Sequence, residues 1–73
     1  MKPSQSQKSR KKLGELFRKM REEARLTQSE VAAKAQLDWS YYAEIERGVV
    51  NPSLDKIVSI MEVLNIQSLI DLL

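Results

Sequence analysis

Residues 26–48, LTQSEVAAKAQLDWSYYAEIERG, hold two short helical patterns separated only by Gln36, Leu37 and Asp38. That joint constrains the chain more than any other feature. So short a connection holds the two helices close together. Thr27 and Glu30 form a T-x-x-E capping box that starts the first of them. Val31, Ala32 and Ala35 form its apolar face, and the alanines there favour a close helix–helix approach. Asp38 suits the N-cap of the next helix. Tyr42 and Ile45 share one face of that helix, and Gly48 suits a left-handed cap at its end.

The remaining segments supply the rest of a core. Leu13, Leu16, Phe17, Met20 and Ala24 recur at helical spacing ahead of the pair, and Leu26 and Thr27 interrupt that pattern. After the pair, VVNPS (residues 49–53) reads as a loop. Ser53 with Asp55 opens a further helix with the face Leu54, Ile57, Ile60, Met61 and Leu64. Asn65 can close it in the left-handed conformation. Ser68 and Asp71 open a last short helix. No strand pattern or repeat is present. The expected fold is all-α, a compact five-helix bundle. Residues 1–8 read as a flexible polar arm, and residues 9–73 as one domain.

Composition removes several function classes. With 73 residues and no cysteine or histidine, the chain cannot form disulfides or thiolate zinc sites, and it lacks the commonest general base. The carboxylates are spread over solvent faces and caps, with no nucleophile–base constellation, so an enzyme is not expected. No cofactor or metal is expected either. No apolar run approaches the roughly 20 residues that cross a bilayer, and the polar, basic start is unlike a signal peptide, so a cytoplasmic chain without membrane contact is expected. Charge is unevenly placed. Residues 1–25 carry nine Lys/Arg against three Glu, whereas residues 26–73 carry three against seven acidic residues. A basic third points to a polyanionic partner.

Taken together, LTQSEVAAKA, IERG and NPSLDKI, in that order and spacing, resemble the phage-repressor or Cro-like helix-turn-helix regulators. The resemblance runs from Leu13 to about Leu73. It implies a DNA-binding domain whose helix after Asp38 lies in the major groove of double-stranded DNA. By position, the base-reading residues would be Trp39, Ser40, Ala43 and Glu44. Thr27, Gln28, Arg21, Tyr41, Arg47 and Asn51 would meet the DNA backbone, with Gln28 at a helix start suited to a phosphate. Glu46 matches an acidic residue that in several members pairs with an arginine of the first helix, here Arg21. The family usually has glycine at the position of Gln36 and a β-branched aliphatic residue at that of Tyr42. If the turn follows the family, Gln36 adopts positive φ.

Ile66, Leu69, Ile70 and Leu73 form an apolar stripe with Leu72 beside it, more than one short helix can bury in so small a domain. A C-terminal dimerisation helix and a homodimer are therefore expected, with a palindromic operator to match. Residues 9–73 hold no separate sensor domain, so control is expected from concentration, dimerisation or a regulatory protein partner. Trp39 offers one donor and a large apolar face, suited to a thymine methyl or a sugar. Asp38 and Glu44 place negative charge where phosphates would lie. They favour the alternative of a protein-interaction module of the same fold, such as an antitoxin or anti-repressor.

Overall fold

A computed structural model describes residues 5–66, with side chains described from residue 7. Helix α1 spans Gln5–Glu23, α2 Gln28–Lys34, α3 Trp39–Arg47 and α4 Leu54–Val63. Four helices thus stand among the described residues, where five were expected for the whole chain. The expected last helix, opened by Ser68 and Asp71, lies outside the described residues, as do Leu69, Ile70, Leu72 and Leu73. So do residues 1–4 of the expected arm. Gln5–Lys8, assigned to that arm from sequence, belong instead to α1. Gln, Lys and Arg are good helix formers, and Gln7, Arg10 and Lys11 line a cleft with Gly48 and Val49, which gives this end of the helix a neighbour.

The core is built by Phe17 of α1, Val31 and Ala32 of α2, Tyr42 and Ile45 of α3, and Ile60, Met61 and Leu64 of α4, all buried. Leu13, Met20, Leu26 and Leu37 pack against it. Two residues assigned to apolar faces from spacing are exposed: Ala24, at the end of α1, and Leu54, in the first turn of α4. Both sit at an end of their helix, Ala24 just past the last residue of α1 and Leu54 at the first of α4. Ile66 is only 6% exposed and belongs to this core, so it is not available to the dimer stripe in which its spacing placed it.

All four helices end in the same way. Arg25, Gln36, Gly48 and Asn65 adopt left-handed backbone, with φ of 59°, 59°, 74° and 58°. In each case the next residue's N–H reaches back five positions: Leu26 to Arg21, Leu37 to Ala32, Val49 to Glu44, and Ile66 to Met61, at 2.8–3.2 Å. These bonds occupy carbonyls that the last turn leaves without partners. Leu26, Leu37 and Ile66 then turn into the core, which is the hydrophobic contact that accompanies such caps. At the helix starts, the Thr27–Glu30 box is present, with bonds of 3.0 and 2.9 Å. Asp38 occupies the N-cap position of α3 but makes no side-chain cap bond.

The chain's two glycines serve the same helix crossing. A Cβ on Gly14 of α1 would collide with the backbone of Glu46 and stand 2.6 Å from the Ile45 carbonyl oxygen of α3. A Cβ on Gly48 would stand 2.7 Å from Lys11 Cα. Backbone meets backbone at both points, so neither collision can be relieved by a side-chain rotation. Gly14→Ala should therefore destabilise the domain by about 1–3 kcal/mol in denaturant titrations, the range of an overpacked contact. In an open helix the same change would stabilise by roughly 0.5–1 kcal/mol. A stability gain would show that α1 and α3 are not in contact at this point.

Candidate nucleic-acid interface

The site is founded on one ion pair. Arg21 Nε donates to Glu46 Oε2 at 2.7 Å, and a terminal nitrogen donates to Oε1 at 3.2 Å. The two side chains are 14% and 3% exposed. Arg21 also donates to the Leu26 carbonyl at 3.0 Å, and Gln28 Nε2 donates to Glu46 Oε1 at 3.0 Å. Gln28 Oε1 in turn accepts from the Trp39 indole N–H at 3.5 Å. A polar chain thus runs from the interior to the start of α3 and joins α1, α2 and α3.

Electrostatics within this chain follow from its burial. Burial works against the charged form of Glu46. Hydrogen bonds from Arg21 and Gln28, with the Tyr42 hydroxyl close by, outweigh it and hold the carboxyl below its ordinary value of 4.5. The Glu46 hydrogen bond raises Arg21 against its own desolvation. Burial first, and then the Glu46 carboxylate, push the Tyr42 phenol far up. The Tyr42 hydroxyl is buried beside this pair without a hydrogen bond of good geometry. That is the consequence of placing a phenol where the resembled family carries an aliphatic residue.

Around this foundation the structure distributes the sequence-predicted residues unequally. Trp39 and Ser40, in the first turn of α3, are exposed, while Ala43 and Glu44 are half-buried further along. Arg47 at the end of α3 and Asn51 in the following loop are exposed, as is Thr27. Tyr41 is half-buried, with Lys56 Nζ 4.6 Å from its ring centre. Gln28 and Arg21 are turned inward to Glu46, so the side-chain groups expected to meet DNA are engaged within the protein.

Two features escaped the sequence reading. Lys11, Glu15, Arg18, Arg21, Gln28, Glu46 and Arg47 line an open depression of about 610 Å³ between α1 and the end of α3. With Arg21 and Glu46 paired, its remaining charges are mainly cationic. The available signal was the line Lys11, Gly14, Arg18, Arg21, whose three- and four-residue spacings place these residues on one helix face. Lys56, on the other flank of α3 with Tyr41 and Asp38, was also missed. Among the described residues no group of three or more acidic, histidine or cysteine residues could hold a metal ion, and no helix is long and apolar enough to cross a membrane.

The family model for Helix-turn-helix matches residues 17–70, which contain α2, the turn at Gln36 and α3. The chain belongs to the helix-turn-helix family, in its phage-repressor, Cro-like branch. This helix-turn-helix chain is 42% identical over 55 residues to an immunity repressor protein of Bacillus phage phi105. The matched region is 75% of this chain and 38% of the relative, so the chain spans well under half of that relative's length. No solved structure matches it.

The buried pair makes a prediction that distinguishes it from surface charges. Glu46→Ala strands Arg21 and should cost about 3–5 kcal/mol, whereas Glu62→Ala, at an exposed position, should stay within roughly 0.5 kcal/mol. Because Glu46 lies below its ordinary value when folded, its contribution is fully present above about pH 4.5 and is lost as the pH falls through the folded value. Thermal melts of the wild type should therefore fall more steeply in acid than those of Glu46→Gln. Equal effects of the two alanine variants would place the pair in solvent.

Proposed function

We propose that this chain is a sequence-specific DNA-binding transcriptional regulator that docks α3 in the major groove. The observation that carries this reading is the exposed start of α3, bearing Trp39 and Ser40, on a helix whose far end borders the cationic depression of Lys11, Arg18 and Arg47. Base edges are read from a groove about 12 Å wide, while cations at its walls hold phosphates. Gln28 lines that depression, Thr27 borders Trp39 beside it, and Lys56 with Tyr41 supplies a positive group on the opposite flank. Membership in the phage-repressor branch supports the reading, and the immunity repressor relative supports repression as its sense.

The operator is palindromic and the protein binds it as a homodimer, through an isologous contact of Leu69, Ile70, Leu72 and Leu73. That arrangement sets the two copies of α3 about 34 Å apart on one face of the duplex. A second reading, binding of a protein partner, is favoured by Asp38. Its side chain makes no cap bond, and it stands exposed next to Trp39. Selection from a random duplex pool separates the two. A recovered palindrome supports the regulator, and a pool that stays random contradicts it.

Glu44 gives a sharper test. A carboxylate facing the groove accepts a hydrogen bond from cytosine N4, worth about 1–3 kcal/mol against a wrong base. The same carboxylate repels phosphate wherever no donor lies opposite. Glu44→Gln should then weaken binding to the selected operator while sparing or strengthening binding to random DNA, in parallel titrations at one salt concentration. A rise of both affinities by one factor would remove Glu44 from the reading face.

A further inference from the structure

Trp39 is 61% exposed, the most exposed large hydrophobic residue in the described chain. An indole left in water at the start of a helix contributes little to folding, so its place calls for a partner. Its one polar atom, Nε1, points to Gln28 Oε1 at 3.5 Å. Gln28 is itself held by Glu46, and Glu46 by Arg21. The N–H is thus directed back into the protein, toward the start of α2, where Trp39 borders Thr27, Gln28 and Ser29. The surface it offers outward is carbon.

Resting on the DNA-binding reading, we infer that Trp39 is a specificity-determining residue that reads the 5-methyl group of a thymine by apolar contact in the major groove. Residues at the N-terminal end of a docked helix are those that reach base edges. The major-groove edge of thymine carries the one apolar group that distinguishes it from the other three bases of DNA. An indole whose donor is engaged elsewhere has no hydrogen bond to give to guanine or adenine N7. It would also leave the exocyclic amines of cytosine and adenine without an acceptor. The contact therefore selects thymine by its methyl group and disfavours cytosine by leaving its N4 donor unpaired. Gln28 occupies the indole N–H, which leaves the ring only carbon to offer outward.

The test uses the duplex recovered by selection from a random pool, with each thymine replaced in turn by deoxyuridine. That change removes a methyl group and leaves every hydrogen-bonding group in place. The wild-type protein should lose roughly fourfold in affinity at one thymine of each half-site, the loss expected for one buried methyl-sized group. Trp39→Ala should bind the thymine and uracil forms alike, and Trp39→Phe, which keeps an apolar face without the N–H, should keep the discrimination. Equal wild-type affinity for every thymine and uracil form would overturn the inference. So would discrimination that survives in Trp39→Ala, or that is lost in Trp39→Phe. A wild-type protein that selects no duplex at all would instead overturn the DNA-binding reading on which the inference rests.

Discussion

The contact between Arg21 and Glu46 organises the rest of the molecule. An ion pair this buried is not stabilising by attraction alone, because both charges lose their water. It persists here because its remaining hydrogen-bonding capacity is used: Leu26 accepts from the guanidinium, and Gln28 donates to the carboxylate. One comes from the α1–α2 connection and the other from the start of α2. Displacing any of α1, α2 or α3 would leave a buried charge short of a partner, so the pair specifies their mutual arrangement more than it adds to stability. Gly14 is the geometric condition for this. Only without a Cβ there can α1 come close enough to α3 for Arg21, two turns further on, to reach Glu46.

The helix ends impose a second constraint. Four caps of one kind aim Leu26, Leu37 and Ile66 into a single core, so the turns themselves deliver core residues. Three of the four left-handed positions are not glycine, and each such residue carries roughly 1–2 kcal/mol of backbone strain. The domain tolerates this because the following residue packs against the core as a result. The turn at Gln36 sets the direction in which α3 leaves α2.

Much of this was legible in the sequence, for identifiable reasons. Thr27 and Glu30 form a reciprocal pair whose chemistry fits one arrangement, and Gly48 and Asn65 are residue types that favour left-handed backbone. Arg25 was not legible, because arginine has no such preference and the only clue is the leucine after it. Ala24 and Leu54 misled because periodicity continues past the point where a helix has neighbours. The Arg21–Glu46 pair came from family resemblance, as no local rule joins residues 25 positions apart. The inward role of Gln28 was hidden for the same reason, since its partners lie on α3. Gln36, the family's glycine position, was expected at positive φ if the turn followed the family, and is found there.

The proposed reading face is consequently a mixture of tethered and open parts. Trp39 is tied through Gln28 to the ion pair, Glu44 is half-buried, and Ser40 is open to solvent. Around them the cations Lys11, Arg18, Arg47 and Lys56 take no part in the core. Their task in this account is to hold phosphates, and counterion release measures that task directly. The decisive measurement is the affinity for the selected operator as a function of salt. Four neutralised phosphates per subunit, at about −0.9 each, predict a log–log slope near −3.6 for each subunit bound. A slope near zero, with tight binding retained, would contradict docking of α3 between two phosphate walls.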